Sequence, residues 1–178
     1  MGLAEKYIPH YTYDDWVRWE GRWELIEGMP IAMSPLPVPE HQRVAGELFF
    51  AFKTTLNRGC KDCKVYLPLD YKIADDIVLQ PDLLIVCGTI PKKYLNFPPK
   101  LVVEILSPST MLKNRNTKFQ MYETQGIKYY LIVDINKKVV EIFELVNGKY
   151  QLQPYQNNFA FNLEDDCLIT PDLDNIWE

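Results

Sequence analysis

Val78-Leu79-Gln80-Pro81-Asp82-Leu83-Leu84-Ile85-Val86 is an apolar run of strand character interrupted by one charge, Asp82. Leu101-Val102-Val103-Glu104-Ile105-Leu106 has the same character, and Glu104 is again its lone charge. Runs that are apolar on both faces belong to strands covered on both sides, which places these two in the middle of a sheet. Working outward, the strands predicted around them are Val65–Ile73, Ile77–Cys87 and Leu101–Leu106, followed by a helix from about Lys113 to Gln125 that Gly126 closes. Strands Lys128–Val133, Val139–Val146 and Lys149–Pro154 come next, turning at Asn136-Lys137 and Asn147-Gly148. Upstream, Trp23 to Met33 reads as a hairpin turning at Glu27-Gly28, and Ser34 to Pro39 as a stiff extended connection. From Glu40 the apolar positions 44, 45, 48, 49, 52 and 56 recur with helical period until Gly59. Thr12 and Asp15 suit a short capped helix ending before Gly21, with Trp16, Trp19 and Trp23 expected in the core. With no repeats or linkers, residues 1–178 read as a single mixed α/β domain, a central sheet flanked by helices.

Ionised carboxylates in apolar strands cost several kcal/mol unless compensated. Asp82 and Glu104 are therefore candidates for a functional site, with a buried ion pair as the plain alternative. Hard oxygen ligands with only two histidines in the chain favour Mg²⁺ or Mn²⁺ over zinc or copper. Asn114, Lys118 and Tyr122 are spaced i, i+4, i+8, so an α-helix would carry them on one face and could hold Lys118 over the acids. The formal charge of −5 divides unevenly: residues 1–52 carry −4, residues 53–138 carry +6 and residues 139–178 carry −7. The basic middle holds both lone carboxylates, which permits phosphate binding.

Cys60-Lys-Asp-Cys63 is a CxxC, half of a zinc pattern, but no second CxxC answers it. Reduced thiols in a turn and a core are the expectation. The N-terminal sixteen residues lack a basic-then-apolar leader, and no apolar run approaches a membrane span, so a cytoplasmic protein is expected.

Pro81-Asp82 followed by Glu104-Ile105-Leu106 resembles the PD-(D/E)XK nuclease signature, with Leu106 where the signature lysine usually stands. More narrowly, the chain resembles the Uma-two family of restriction-endonuclease-like proteins. The matching stretches are Glu24-Leu25-Ile26-Glu27-Gly28, Ser34-Pro35, Pro39-Glu40-His41-Gln42, Gln80 to Leu83, Val103 to Thr110, Lys118-Phe119 with Tyr122, and Gly126 to Asp134. The resemblance implies a restriction-endonuclease-like αβββαβ core with an added N-terminal helix and β-hairpin. It implies a lysine supplied from the following helix, which fits Lys118, and Glu27 joining Asp82 and Glu104 around the metal. Substrate contacts are expected from His41, Gln80, Asn114 and Arg115. The family carries an aspartate where Asn114 stands, so a charge that would orient Lys118 is missing. The reaction implied is Mg²⁺- or Mn²⁺-dependent hydrolysis of DNA, with a homodimer suited to cutting two strands. The alternative is a weak or inactive nuclease-fold module that binds nucleic acid or regulates a partner.

Overall fold

A computed structural model describes residues 7–33, 37–107, 110–155 and 158–178, and of Lys113 and Asn114 the backbone alone. The first residues of the expected extended connection and the Pro108-Ser109 pair lie outside the described residues. Among the described residues, no helix is long and apolar enough to cross a membrane.

The elements in chain order are α1 (Tyr13–Trp16), β1 (Trp23–Ile26), β2 (Met29–Ala32), α2 (Pro39–Leu56), β3 (Cys63–Tyr66), β4 (Tyr71–Ala74), β5 (Ile77–Leu79), β6 (Leu83–Cys87) and β7 (Leu101–Ile105). A π-helical turn (Lys113–Lys118) then runs into α3 (Phe119–Thr124). After it come β8 (Tyr129–Asp134), β9 (Val139–Val146), β10 (Lys149–Gln153), β11 (Phe161–Glu164) and β12 (Cys167–Ile169). The central sheet has the order β10-β9-β8-β7-β6-β3, and a second sheet has the order β2-β1-β5-β4. Of the central pairings, β7–β8 is parallel, and its crossover is the segment carrying the π-turn and α3.

Two predicted strands each divide between the sheets. Residues 65–73 part into β3 and β4, and residues 77–87 part into β5 and β6. The second break falls at Gln80-Pro81-Asp82, where proline has no N–H to give a ladder. Apolar residues on either side concealed both breaks, although each break holds a proline, Pro68 and Pro81.

Alternation across the central sheet sorts two cores. Leu83 and Ile85, Leu101, Val103 and Ile105, and Leu131 and Val133 face α2. There Val44, Leu48, Phe52 and Leu56, one helix face at spacing i, i+4, are all buried. Phe161, Leu163 and Ile169 of the β11–β12 hairpin complete that layer. Leu84, Val86, Val102, Tyr130 and Ile132 face the other way, onto Ile26, Tyr71, Leu79 and Tyr122. Glu104 has the even parity of this second layer and is the charged member of β7 in it.

The β1–β2 hairpin turns at Glu27-Gly28, both with positive φ (49° and 76°). That is the pattern of a turn whose twist matches its strands. Gly28 has a further reason to be glycine: a Cβ there would sit 2.4 Å from the His10 ring. Two sequence expectations are corrected. Trp16, Trp19 and Trp23 are only half-buried, because α1 ends at Trp16 and the rings meet Tyr11, Tyr13 and one another at the surface. The cysteines are not free thiols: Cys60 is bonded to Cys167 and Cys63 to Cys87.

Candidate active site

The antiparallel register of β6 and β7 pairs Leu83 with Val103 and Leu84 with Val102. Continued one step, it sets Asp82 opposite Glu104 at the end of the sheet. The Ile105 N–H donates to Asp82 Oδ2 at 2.7 Å, fixing that carboxylate against β7. Asp82 Oδ1 faces His41 Nε2 at 3.3 Å, so the start of α2 also reaches the site. His41 Nδ1 is buried and has no hydrogen-bond partner among the described residues.

Lys118 enters from the crossover between β7 and β8. The π-turn winds with more residues per turn than an α-helix, so it removes the expected alignment of position 114 with 118. Lys118 and Tyr122 remain one α-helical turn apart, and both side chains meet the same atom. Lys118 Nζ and Tyr122 Oη each donate to Glu104 Oε1 at 2.7 Å. Lys118 Nζ also lies 2.6 Å from Glu24 Oε1. The ammonium is 1% exposed and its partners Glu24 and Glu104 are 0% and 3% exposed, which excludes a solvated helix lysine.

The carboxylate that the hairpin contributes is Glu24, not Glu27. Glu24 lies in β1 and points inward, whereas Glu27 sits exposed in the turn with left-handed backbone. The rule that singled out Asp82 and Glu104 finds Glu24 as well, since it is the one charge inside Trp23-Glu24-Leu25-Ile26. Gln80 belongs to the surroundings of this acid. Its backbone N–H donates to Glu24 Oε1 at 2.8 Å, and its side chain donates to Asp70 Oδ1 at 2.6 Å. Burial raises the Asp70 carboxyl above the usual range, and the hydrogen bond from Gln80 offsets part of that rise. Arg115 turns away to Glu141, with Nη1 2.7 Å from Oε2, near enough for charge pairing though off the hydrogen-bond line. The side chain of Asn114 lies outside the described residues.

Two carboxylates, Glu24 and Glu104, thus share one buried ammonium, and a third, Asp82, lies beside Glu104. Burial pushes the Glu104 carboxyl up to about 7; Lys118 opposes the rise, while Asp82 and Glu24 add to it. Burial by itself would lower the Lys118 pKa, but Glu104 and Glu24 outweigh it and hold the amine charged above the ordinary lysine range. The Tyr122 hydroxyl is pushed well above its usual range, chiefly by burial, and stays a donor. A site with this excess of negative charge suits a divalent cation. Asp82 and Glu104 could supply the one or two carboxylates that Mg²⁺ takes. The donors do not form a closed cage: among the described residues, the trio of acid, cysteine or histidine donors within 4.8 Å of one another is Cys63, Cys87 and Glu164. A cleft of about 1070 Å³ also opens there, at the far end of the central sheet, lined by Lys100 and Lys128 at the starts of β7 and β8. Electrostatics, and not concavity, identifies the carboxylate site.

A family described as "Uma2: Putative restriction endonuclease" matches residues 11–171 of this chain. Curated proteins give no match. Among solved structures, the fold is similar to that of "a putative nuclease belonging to DUF820 from Anabaena variabilis ATCC 29413". The likeness has a TM-score of 0.73 at 15% identity and covers 93% of this chain and 97% of the other. At that identity the likeness speaks for the fold.

Proposed function

The chain belongs to the Uma2 family of restriction-endonuclease-like proteins, and from that premise we propose that it is a Mg²⁺-dependent endonuclease that hydrolyses phosphodiester bonds in DNA. The observation that carries the reading is the buried excess of carboxylate over ammonium at Glu24, Glu104 and Lys118, with the Asp82 charge beside Glu104. A site built for stability alone would pair its charges one to one, because uncompensated buried charge is destabilising.

Asp82 and Glu104 are the residues that hold the cation, with Glu24 supporting them through Lys118. When bound, Mg²⁺ or Mn²⁺ lowers the pKa of a water and polarises the scissile phosphate. The chain's own groups do the rest. The Ile105 N–H and His41 hold the Asp82 carboxylate in one orientation. Lys118 and Tyr122 donate to one oxygen of Glu104 and so hold that carboxylate, which would bind the cation, in one orientation. Lys118, permanently charged, is placed to stabilise negative charge developing on the phosphate. His41, at the mouth of α2, contacts substrate; Gln80 fixes Glu24; Asn114 and Arg115 lie on the segment that approaches the DNA backbone. A DNA substrate makes the cytoplasm the working compartment, and cutting both strands favours a homodimer.

Plasmid cleavage by the purified protein tests the reading. Cleavage with Mg²⁺ that stops on chelation and in Asp82→Asn is the expected result. Salt-sensitive DNA binding that ignores metal, with no cleavage, overturns it in favour of a non-catalytic binding module.

A further inference from the structure

Helix α2 brings His41 to Asp82 at its start, and at its end the Cys60 N–H donates to the Leu56 carbonyl at 2.9 Å. The helix packs against β3, against β12 and against a 3₁₀ turn (Asn175–Trp177). Both β12 and the turn belong to residues 161–178, which run as a strap along α2. The strap is fastened near each end of the helix. Cys167, the first residue of β12, is bonded to Cys60, with Cα atoms 5.0 Å apart. Toward the start of α2, Arg43 donates through Nη1 to the Glu178 main-chain oxygen and through Nη2 to the Trp177 carbonyl, the second at 3.2 Å. Between the fasteners, Ile169, Leu173 and Ile176 share one apolar layer with Val44, Leu48 and Phe52. The Phe161 ring meets that of Phe52 at 5.9 Å.

We propose that this strap is a redox-controlled fastener: the Cys60–Cys167 bond, closed by oxidation and opened by thiols, sets how firmly α2 holds His41 against Asp82. With the bond closed, β12 cannot leave the end of α2 while the rest of the fold stays native. With it open, residues 161–178 are held by apolar contacts and by Arg43. A segment held in that way opens as a local unit, at a lower cost than unfolding the whole domain. Each opening takes β12 and the 3₁₀ turn off α2 and frees Arg43, two residues from His41. The other bond, Cys63 to Cys87, joins direct partners of the β3–β6 register, so its loss leaves the strap in place. Cys60, Cys63 and Cys167 line the cleft of about 1070 Å³, which gives a small thiol its way in.

Opening proceeds by thiol–disulfide exchange with a dithiol. Its thiolate attacks one sulfur of the pair, the S–S bond breaks, and the other sulfur leaves with the electron pair and takes up a proton. The second thiol of the dithiol then releases the first cysteine from the mixed disulfide. In all, two electrons and two protons pass to Cys60 and Cys167, and the dithiol becomes a disulfide. Reducing compartments drive this direction, and a disulfide oxidant drives the reverse.

Hydrogen exchange read by mass spectrometry tests the strap in the full chain, first oxidised and then reduced with a dithiol. Residues 161–178 and the first turn of α2 should exchange roughly tenfold faster or more after reduction, with β7 and β8 unchanged. Cys60→Ala combined with Cys167→Ala should give the fast rate in both conditions. Cys63→Ala combined with Cys87→Ala should keep the response. Equal rates in the two forms overturn the proposal. So does an acceleration shared by β7 and β8, which marks a bond that supports the whole fold and not the strap. Exchange in the unmodified chain decides the matter even where a variant does not fold. The effect on catalysis rests on the endonuclease activity proposed above: plasmid cutting should fall roughly tenfold on reduction and recover on reoxidation, as His41 loses and regains its place. Cutting that is equal in both forms overturns the link to His41. Cutting absent from both forms counts against that activity, and the exchange rates still decide the strap.

Discussion

Asp82 and Glu104 face each other across two neighbouring strands, and burial together with the Asp82 charge raises the cost of ionising Glu104. Asp82→Asn and Glu104→Gln should abolish cleavage, by roughly 100-fold or more in rate. In metal-free protein both should keep or raise the melting temperature, since removing one of two clustered like charges relieves repulsion. Cleavage at the wild-type rate, or unfolding of both variants, counts against the assignment. Glu104 also sets a pH dependence. Its carboxyl ionises near 4.5 when unfolded and near 7 when folded. The folded state therefore binds the extra proton between those values, and stability falls as pH rises through that window. Melting of metal-free protein from pH 5 to 8 should show the decline, and Glu104→Gln should flatten it. Lys118→Ala strands two buried carboxylates and should destabilise the fold by about 3–5 kcal/mol, whereas Lys137→Ala, at a 74% exposed side chain, should do little. Denaturant melts of the two variants make the comparison. At this scale the sequence was legible wherever a charge stood alone in an apolar strand, as at Asp82 and Glu104. Glu24 obeys the same rule, but the family resemblance drew attention to Glu27, three residues on, where the strand has ended and the chain turns.

The hairpin β1–β2 shows the difference between carrying a group and shaping its carrier. Glu24 is held by Lys118 and by the Gln80 N–H, so Glu24→Gln should weaken cleavage and alter the affinity for Mg²⁺ measured by calorimetry. Glu27 occupies a left-handed turn position that asparagine fits better, as it does in the matching Asn147-Gly148 turn. Glu27→Asn should raise the melting temperature by about 2–4 °C and leave cleavage intact. Loss of activity in Glu27→Asn, with Glu24→Gln unaffected, would reverse the assignment. The elements themselves were legible where period or turn chemistry was strong: α2, β7, and both hairpin turns. Strands β3 to β6 were not divided correctly, because apolar residues on either side concealed the breaks that hold Pro68 and Pro81. The π-helical turn before α3 also escaped notice, since 3.6-residue spacing assumes the ladder it replaces. The hairpin β11–β12 alternates as Phe161-Asn162-Leu163-Glu164 and was hidden by the acidity of its segment.

Across the whole molecule, charge and metal chemistry separate binding from cutting. Mg²⁺ holds oxygen ligands at about 2.0–2.1 Å in a strict octahedron, whereas Ca²⁺ takes six to eight at about 2.3–2.6 Å. Ca²⁺ should therefore support DNA binding without cleavage, Mg²⁺ or Mn²⁺ should support both, and chelation should stop cutting. Binding should weaken steeply with salt, as the +6 segment displaces counterions from phosphate. A salt titration by fluorescence anisotropy, repeated with each cation, measures both effects, and binding indifferent to salt would exclude the phosphate contact. The pairing of four cysteines is a fact of the assembled molecule that spacing could not supply, because four cysteines permit three connectivities. The ion pair between Glu24 and Lys118 has a consequence for synthesis. Its two halves come from distant parts of the chain, Glu24 from β1 and Lys118 from the crossover between β7 and β8. A ribosome-bound chain that has exposed only the hairpin and α2 carries no assembled centre. The proposed activity can therefore arise only once the chain has been made through Lys118 and that lysine has met Glu24.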